Sequence, residues 1–342
     1  MTIALDATYS LGDELSGVGI YSRSILFGLA TAHASERFGF WYRPHRYLRS
    51  WSEALPGNVR RRLLAGPFRP YSAVLFHGLN QRLPPGRLRR AVTTFHDLFV
   101  LSGEYSTAEF RARFAAQARD AAERADAIIA VSEFTKTQVT GFLGVAPEKI
   151  RVIHHGVRPL ALPSLPREKL ILTVGAIQKR KNLIRLVEAF EALSTDWQLV
   201  IAGSDGFGAG EIRTRIQGSR ARDRIQVTGY VTDQALARWY ARASIFTFPS
   251  LDEGFGIPVL EAMAAGVPVL TSNRSALPEV AGDAAQLVDP EDTEAIATAL
   301  RELTANPDLR MELARRGRER ADRFTWDKAV RETWDAYQDL IR

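Results

Sequence analysis

The chain has no cysteine in its 342 residues, which excludes a disulfide scaffold, a thiolate metal site and a cysteine nucleophile together. It also lacks any apolar run near the ~20 residues of a membrane-spanning helix; the densest patches are 38–42 and 127–131. No basic stretch or cleavage signal precedes the strand-like Ile3-Ala4-Leu5, so no signal peptide is expected and the protein is expected to be cytoplasmic. Three motifs are missing: G-x-x-x-x-G-K-[ST], G-x-S-x-G and D-x-D. Their absence argues against P-loop phosphoryl transfer, the common serine hydrolase and a metal-chelating pair of aspartates. No internal repeat or low-complexity tract is visible.

What is present is ordinary in amount: 46% apolar and 25% charged residues, as in soluble globular proteins. The length suits two domains, since single cores stop growing near ~250–300 residues. The net charge of +6 is uneven. Residues 1–165 hold 21 Lys/Arg against 13 Asp/Glu; residues 166–342 hold 24 against 26. A basic first half suggests an anionic partner, although a solvated arginine-rich surface gives the same count. A nucleic-acid binder would need aromatics interleaved with its arginines, and the clusters at 60–62 and 87–90 lack them.

Short apolar runs alternate with amphipathic stretches. Strands are expected at 3–7, 38–42, 73–76, 91–95, 127–131 and 150–154, then at 170–176, 198–203, 225–230, 244–249, 267–272 and 286–288. Helices are expected near 18–33, 107–124, 133–143, 182–193, 233–242, 257–265 and 293–304. Strands separated by helices imply parallel sheets. Pro159, Pro163 and Pro166 interrupt the pattern and mark a linker. Two α/β domains are therefore expected to meet near residue 160, with ligands in the cleft between them.

The sharpest local signal is Glu253-Gly254-Phe255-Gly256-Ile257-Pro258-Val259-Leu260-Glu261. It lies at the carboxyl end of an expected parallel strand, where open α/β sheets bind ligands. Pro258 suits the start of a helix, and the glycines permit close approach of the backbone to an anion at the helix terminus. Two flanking carboxylates fit a ligand with phosphate between two hydroxyl-bearing sugars; a tight turn with Glu261 as a mere helix residue is the plainer alternative. Gln178-Lys179-Arg180-Lys181-Asn182 follows another strand and opens a helix. Cations there oppose the helix dipole and call for an anion, unless the turn is simply solvated. His96-Asp97 ends the strand 91–95, where His96 could bond a substrate or be an ordinary strand-end residue. His154-His155 reads as structural, with no third ligand in metal spacing. Ser16-Gly17-Val18-Gly19-Ile20-Tyr21 begins like a dinucleotide fingerprint, but Ser22 replaces its third glycine and no acid follows for a ribose. That weighs against a nicotinamide-dependent dehydrogenase; the segment reads better as a loop opening the first helix.

The segment 244–261 resembles the E-x7-E signature of retaining glycosyltransferases of family 4. The resemblance extends through Val174-Gly175, Arg180-Lys181-Asn182, Gly229-Tyr230-Val231, 261–269, 277–282 and 93–98, in order along nearly the whole chain. It implies an α/β GT-B fold of two facing Rossmann-like domains with parallel sheets and an interdomain cleft. The expected division is 1–158 for the acceptor, a linker at 159–168, 169–324 for the nucleotide sugar, and a helix at 325–342 crossing back to the first domain. By resemblance Arg180 and Lys181 neutralise the leaving diphosphate. Gly254, Phe255, Gly256 and Ile257 offer backbone donors to phosphates and sugar. Glu253 binds sugar hydroxyls, Glu261 the ribose, and Tyr230 and Val231 lie beside the base. His96 faces the donor sugar, and Gly17 and Gly19 close near the phosphates or acceptor. Two departures stand out. Ala176 occupies a position where many relatives carry arginine, and His155-Gly156-Val157-Arg158 replaces the common Asn-Gly-Val-Asp.

Arg180-Lys181-Asn182, 250–256 and Ser272-Asn273-Arg274-Ser275 look most like the mannosyltransferase branch, so GDP-mannose is the first expectation, with UDP-hexoses and dTDP-rhamnose as alternatives. No metal or other cofactor is expected. The acceptor is expected to be a saccharide or lipid-linked saccharide in cell-surface polysaccharide synthesis. The arginines at 60–62 and at 87, 89 and 90 are expected to offer peripheral contact with anionic membrane, and no nucleic acid is expected as partner. A relative that binds donor without transfer is a further alternative.

Overall fold

The computed structural model describes residues 1–12, 15–158, 160–193 and 196–342; Pro159 of the expected linker lies outside them. The chain forms two compact units. One comprises Met1–Ser102, Thr107–Gly156 and Thr325–Arg342; the other comprises Gly103–Ser106 and Val157–Phe324.

Among the described residues the first unit holds seven strands: β1 (Thr2–Asp6), β2 (Arg37–Tyr42), β3 (Val59–Leu63), β4 (Leu75–Gly78), β5 (Ala91–Phe95), β6 (Ala127–Ala130) and β7 (Ile150–Val152). They form one parallel sheet in the order β3-β2-β1-β4-β5-β6-β7. The near-continuous burial of β1, β4 and β5 follows from helices covering both faces, as parallel sheets require. The helix Gly17–Ala32 starts at Ser16, whose hydroxyl accepts from the Gly19 amide. Its Ile25 and Leu29 share a core with Ala329, Val330 and Tyr337 of the C-terminal helix Trp326–Ile341. The aromatic stripe at 326–341 is therefore buried against this unit, and His33 stacks on Trp334 at 3.8 Å.

Strand β3 has no counterpart in the expected pattern, because Val-Arg-Arg-Arg-Leu shows no apolar alternation. It is an edge strand, a place where charge blocks pairing with foreign chains. The pleat splits the three arginines that the sequence presents as one patch. Arg61 donates to the carbonyls of Ser50 and Glu53, both at 2.7 Å, and lies over Trp51. Arg60 and Arg62 point the other way and line, with Arg37 and Trp41, a hollow of about 550 Å³.

The second unit holds β8 (Glu168–Val174), β9 (Gln198–Ala202), β10 (Ile225–Gly229), β11 (Ala243–Phe248), β12 (Val269–Ser272) and β13 (Ala285–Val288), again parallel, in the order β10-β9-β8-β11-β12-β13. The sequence direction reverses between β8 and β11, which leaves a crevice at their carboxyl ends, the usual ligand position in such sheets. The helix Leu183–Glu191 buries Leu183, Leu186, Val187, Ala189 and Phe190, as its spacing predicts.

Candidate active site

The loops that follow β8 and β11 meet because those strands are neighbours. After β8 the chain makes a short 3₁₀ turn, Lys179–Lys181, and then Asn182 turns left-handed (φ 57°) and donates from its amide to the Pro290 carbonyl at 2.6 Å. The Leu251 amide donates to the Arg180 carbonyl at 2.8 Å, stitching the two loops together. Close packing is obligatory here. A side chain at Gly203 would place its Cβ 1.9 Å from the Gly175 carbonyl, at the turn carrying the basic segment. Gly256 has φ 108° and faces Leu277, so the entry to the helix Ile257–Ala264 also depends on glycine.

Arg180 and Lys181 converge on one oxygen of Glu253. Arg180 Nη1 lies 2.7 Å from Oε1 and also donates to the Asp252 carbonyl at 2.9 Å. Lys181 forms an ion pair with the same oxygen, and its ammonium sits 4.3 Å from the centre of the Phe248 ring. Lys181 and Glu253 are both buried. Burial opposes ionisation of Glu253, but the two cations outweigh it and hold its pKa at about 2. Two cations sharing one carboxylate leave these three side chains with a net positive charge, which suits an anion.

Glu261 lies in the second turn of the helix Ile257–Ala264, also buried. Tyr240 donates to its Oε2 at 3.1 Å, and Arg158 approaches Oε1 at 3.6 Å. Burial pushes Glu261 up to about 7, against the opposing pull of Arg158 and the Tyr240 hydroxyl. The two carboxyl groups of the E-x7-E segment are therefore shifted in opposite directions. Tyr230 is exposed and Val231 partly so, just before Thr232 caps the helix Asp233–Arg242.

In the first unit, His96 follows β5 and is partly buried. Its Nε2 pairs with the Leu79 carbonyl at 2.9 Å, so that nitrogen carries the proton and Nδ1 is the acceptor. Burial lowers its pKa to about 4, leaving it neutral near pH 7. His155 stacks on it at 5.4 Å and Tyr21 meets it edge-on at 4.7 Å. Behind them runs a buried polar chain: Tyr337 to His77 Nδ1 (2.5 Å), His77 Nε2 to Thr94 (2.8 Å), Thr94 to Tyr21 (2.9 Å). Gly17 and Gly19 occupy the first turn of the helix that carries Tyr21.

Within the second unit the structure thus brings together Arg180, Lys181 and Glu253, and places Gly254, Phe255, Gly256 and Ile257 on the loop and helix start beside them. His96, Gly17 and Gly19 belong to the first unit. Sequence reasoning missed Tyr240, Arg158, Tyr21 and His77. Tyr240 and Tyr21 look like core residues of amphipathic helices. The signal for His77 was its position in the otherwise apolar run of β4.

Two family models match. Residues 161–320 match "Glycosyl transferases group 1" and residues 8–159 match "Glycosyltransferase Family 4". The O-antigen chain mannosyltransferase B of Escherichia coli is 29% identical, over 98% of this chain and 99% of that protein. Among solved structures, sucrose-phosphate synthase from Thermosynechococcus elongatus aligns with a TM-score of 0.79 at 23% identity, covering 99% of this chain and 98% of that one. Anabaena Alr3699/HepE in complex with UDP and glucose aligns at 0.74 and 15%, covering 98% and 99%. The structural likenesses establish the fold, GT-B.

Proposed function

Because the chain belongs to the glycosyl transferases of group 1, we propose that it moves mannose from GDP-mannose to a saccharide or lipid-linked acceptor, with retention of anomeric configuration, in cell-surface polysaccharide synthesis. The observation that carries this reading is the Arg180–Lys181–Glu253 cluster at the crevice between β8 and β11. Breaking the bond from sugar carbon to phosphate oxygen leaves a diphosphate with an added negative charge. Arg180, Lys181 and the start of the helix at Ile257 meet that charge where it develops. Glu253 is the resident counter-ion; the donor's diphosphate takes over the cations and leaves Glu253 to bind sugar hydroxyls. The acceptor oxygen bonds the same sugar carbon, and its proton passes to the departing phosphate. Gly254, Phe255, Gly256 and Ile257 contribute main-chain contacts. Glu261 binds the ribose, Tyr230 and Val231 flank the base, and Gly17 and Gly19 serve the phosphates or acceptor. His96 acts as a neutral hydrogen-bonding group toward the sugar, since its proton is committed to Leu79.

A thermal-shift panel of GDP-, UDP-, dTDP- and ADP-sugars tests the donor, because ligands specific to the folded state raise its midpoint by mass action. GDP-mannose is expected to give the largest rise. A rise with only UDP- or dTDP-sugars reassigns the donor, and none with any nucleotide sugar overturns the transferase reading.

Among the described residues no helix is long and apolar enough to cross a membrane. We propose peripheral contact through Arg37, Arg60 and Arg62 with anionic lipid, each contributing ~1 kcal/mol near such a surface. Co-sedimentation with phosphatidylglycerol vesicles is expected, with loss in the doubly substituted Arg60→Glu, Arg62→Glu chain. Equal binding to neutral vesicles would count against it.

A further inference from the structure

Arg158 stands where the related pattern has aspartate, so this chain places the opposite charge there. Its guanidinium bridges two acids: Nη1 is 2.5 Å from Asp233 Oδ2 at the start of the helix Asp233–Arg242, and Nη2 is 3.6 Å from Glu261 Oε1. Its Nε is buried and has no hydrogen-bond partner among the described residues. The groups facing Glu261 are therefore Arg158 from the segment before β8, and Tyr240 and Asp233 from one helix.

We propose that Arg158 belongs to the donor site, holding the Glu261 carboxylate anionic for the ribose diol. This rests on the reading of Glu261 as the ribose-binding residue. Two vicinal hydroxyls donate two hydrogen bonds, and the ionised carboxyl accepts them more strongly than the acid form does while Tyr240 occupies one lone pair of Oε2. A buried carboxylate resists ionisation, and among the described residues Arg158 is the cation that bears on it. Asp233 acts on Glu261 in the opposite sense, yet it anchors the guanidinium that keeps Glu261 charged. The four side chains form one unit in which Arg158 sets the balance. Since Glu261 titrates at about 7 with Arg158 present, loss of the cation leaves the acid form dominant at neutral pH.

The test is calorimetric titration of the full chain with GDP, and in parallel with UDP, between pH 6 and 8.5. Wild-type affinity is expected to weaken as pH falls through about 7. In Arg158→Ala the midpoint should move up by about one unit, weakening binding about fivefold at pH 7, close to tenfold at pH 6 and little at pH 8.5. Arg158→Gln, which keeps the bulk and a hydrogen-bond donor, should show the same shift, and Arg158→Lys should recover most of the wild-type profile. A purely structural role for Arg158 would lower affinity equally at every pH. Wild-type midpoints in Arg158→Ala and Arg158→Gln overturn this proposal. If Glu261→Gln still abolishes the pH dependence in that event, the ribose assignment survives without it. If neither nucleotide binds the wild-type chain at any pH, the donor site itself is misassigned and the proposal falls with it.

Discussion

Replacing Lys181 with alanine is expected to lower kcat/KM by about 30- to 800-fold, which corresponds to roughly 2–4 kcal/mol of transition-state stabilisation. Arg180→Ala should behave alike. The expectation comes from geometry: both cations are held against one buried carboxylate, where water screens little, and both are poised to meet a leaving diphosphate. The fold should survive either change, because Glu253 keeps the other cation as partner. Glu253→Gln differs. It removes the negative charge that both cations share and should lower stability by about 3–5 kcal/mol while mainly reducing turnover. The Glu253 pKa lies below its unfolded value of 4.5, so its contribution is present above pH 4.5 and is lost as pH falls toward 2. Steady-state kinetics with the donor that the thermal panel identifies, alongside urea unfolding, separates these effects. Turnover of Lys181→Ala and Arg180→Ala within twofold of wild type would refute the diphosphate assignment.

Glu261→Gln should do two things of opposite sign. The free protein should become more stable above pH 7, by about 1–3 kcal/mol, and donor binding should weaken about tenfold or more. The Glu261 pKa is raised in the folded state from 4.5 to about 7. Both states are protonated below pH 4.5, where the group costs nothing. Between 4.5 and 7 only the unfolded chain ionises freely, so folding loses stability progressively, and above 7 the whole cost is present. Glutamine removes that cost. Urea unfolding of wild type and variant at pH 5 and pH 8 should therefore show a gap that opens with pH. A gap that stays flat would mean that Glu261 ionises as easily in the fold as outside it. A residue retained at the expense of stability marks a position selected for binding. Glu253 and Glu261, eight residues apart, should thus respond oppositely to the same substitution.

Much of this was legible beforehand. Apolar runs separated by amphipathic stretches gave two parallel α/β units, and the turn chemistry of 253–261 placed a helix start at the end of a strand. Strand β3 was not legible, because an edge strand needs only one buried row and here arginines fill the rest. The arginines at 60–62 do not share one face, because pleating sends alternate side chains to opposite sides of the strand. Arg158 stood out only as a departure from the resembled pattern, since nothing local links it to Asp233 or Glu261, which lie 75 and 103 positions further along.

The sequence by itself determined the class of fold, the parallel sheets and the positions of the basic turn and the two acids, because periodicity, capping and glycine conformation act over a few residues. Only the tertiary structure decided which charges meet. The order β9-β8-β11-β12 makes β8 and β11 neighbours and so seats Lys181 on Glu253, 72 residues away. The packing around Glu261 decided its ionisation, because a carboxyl group's charge depends on the solvent and partners around it, and those come from distant parts of the chain.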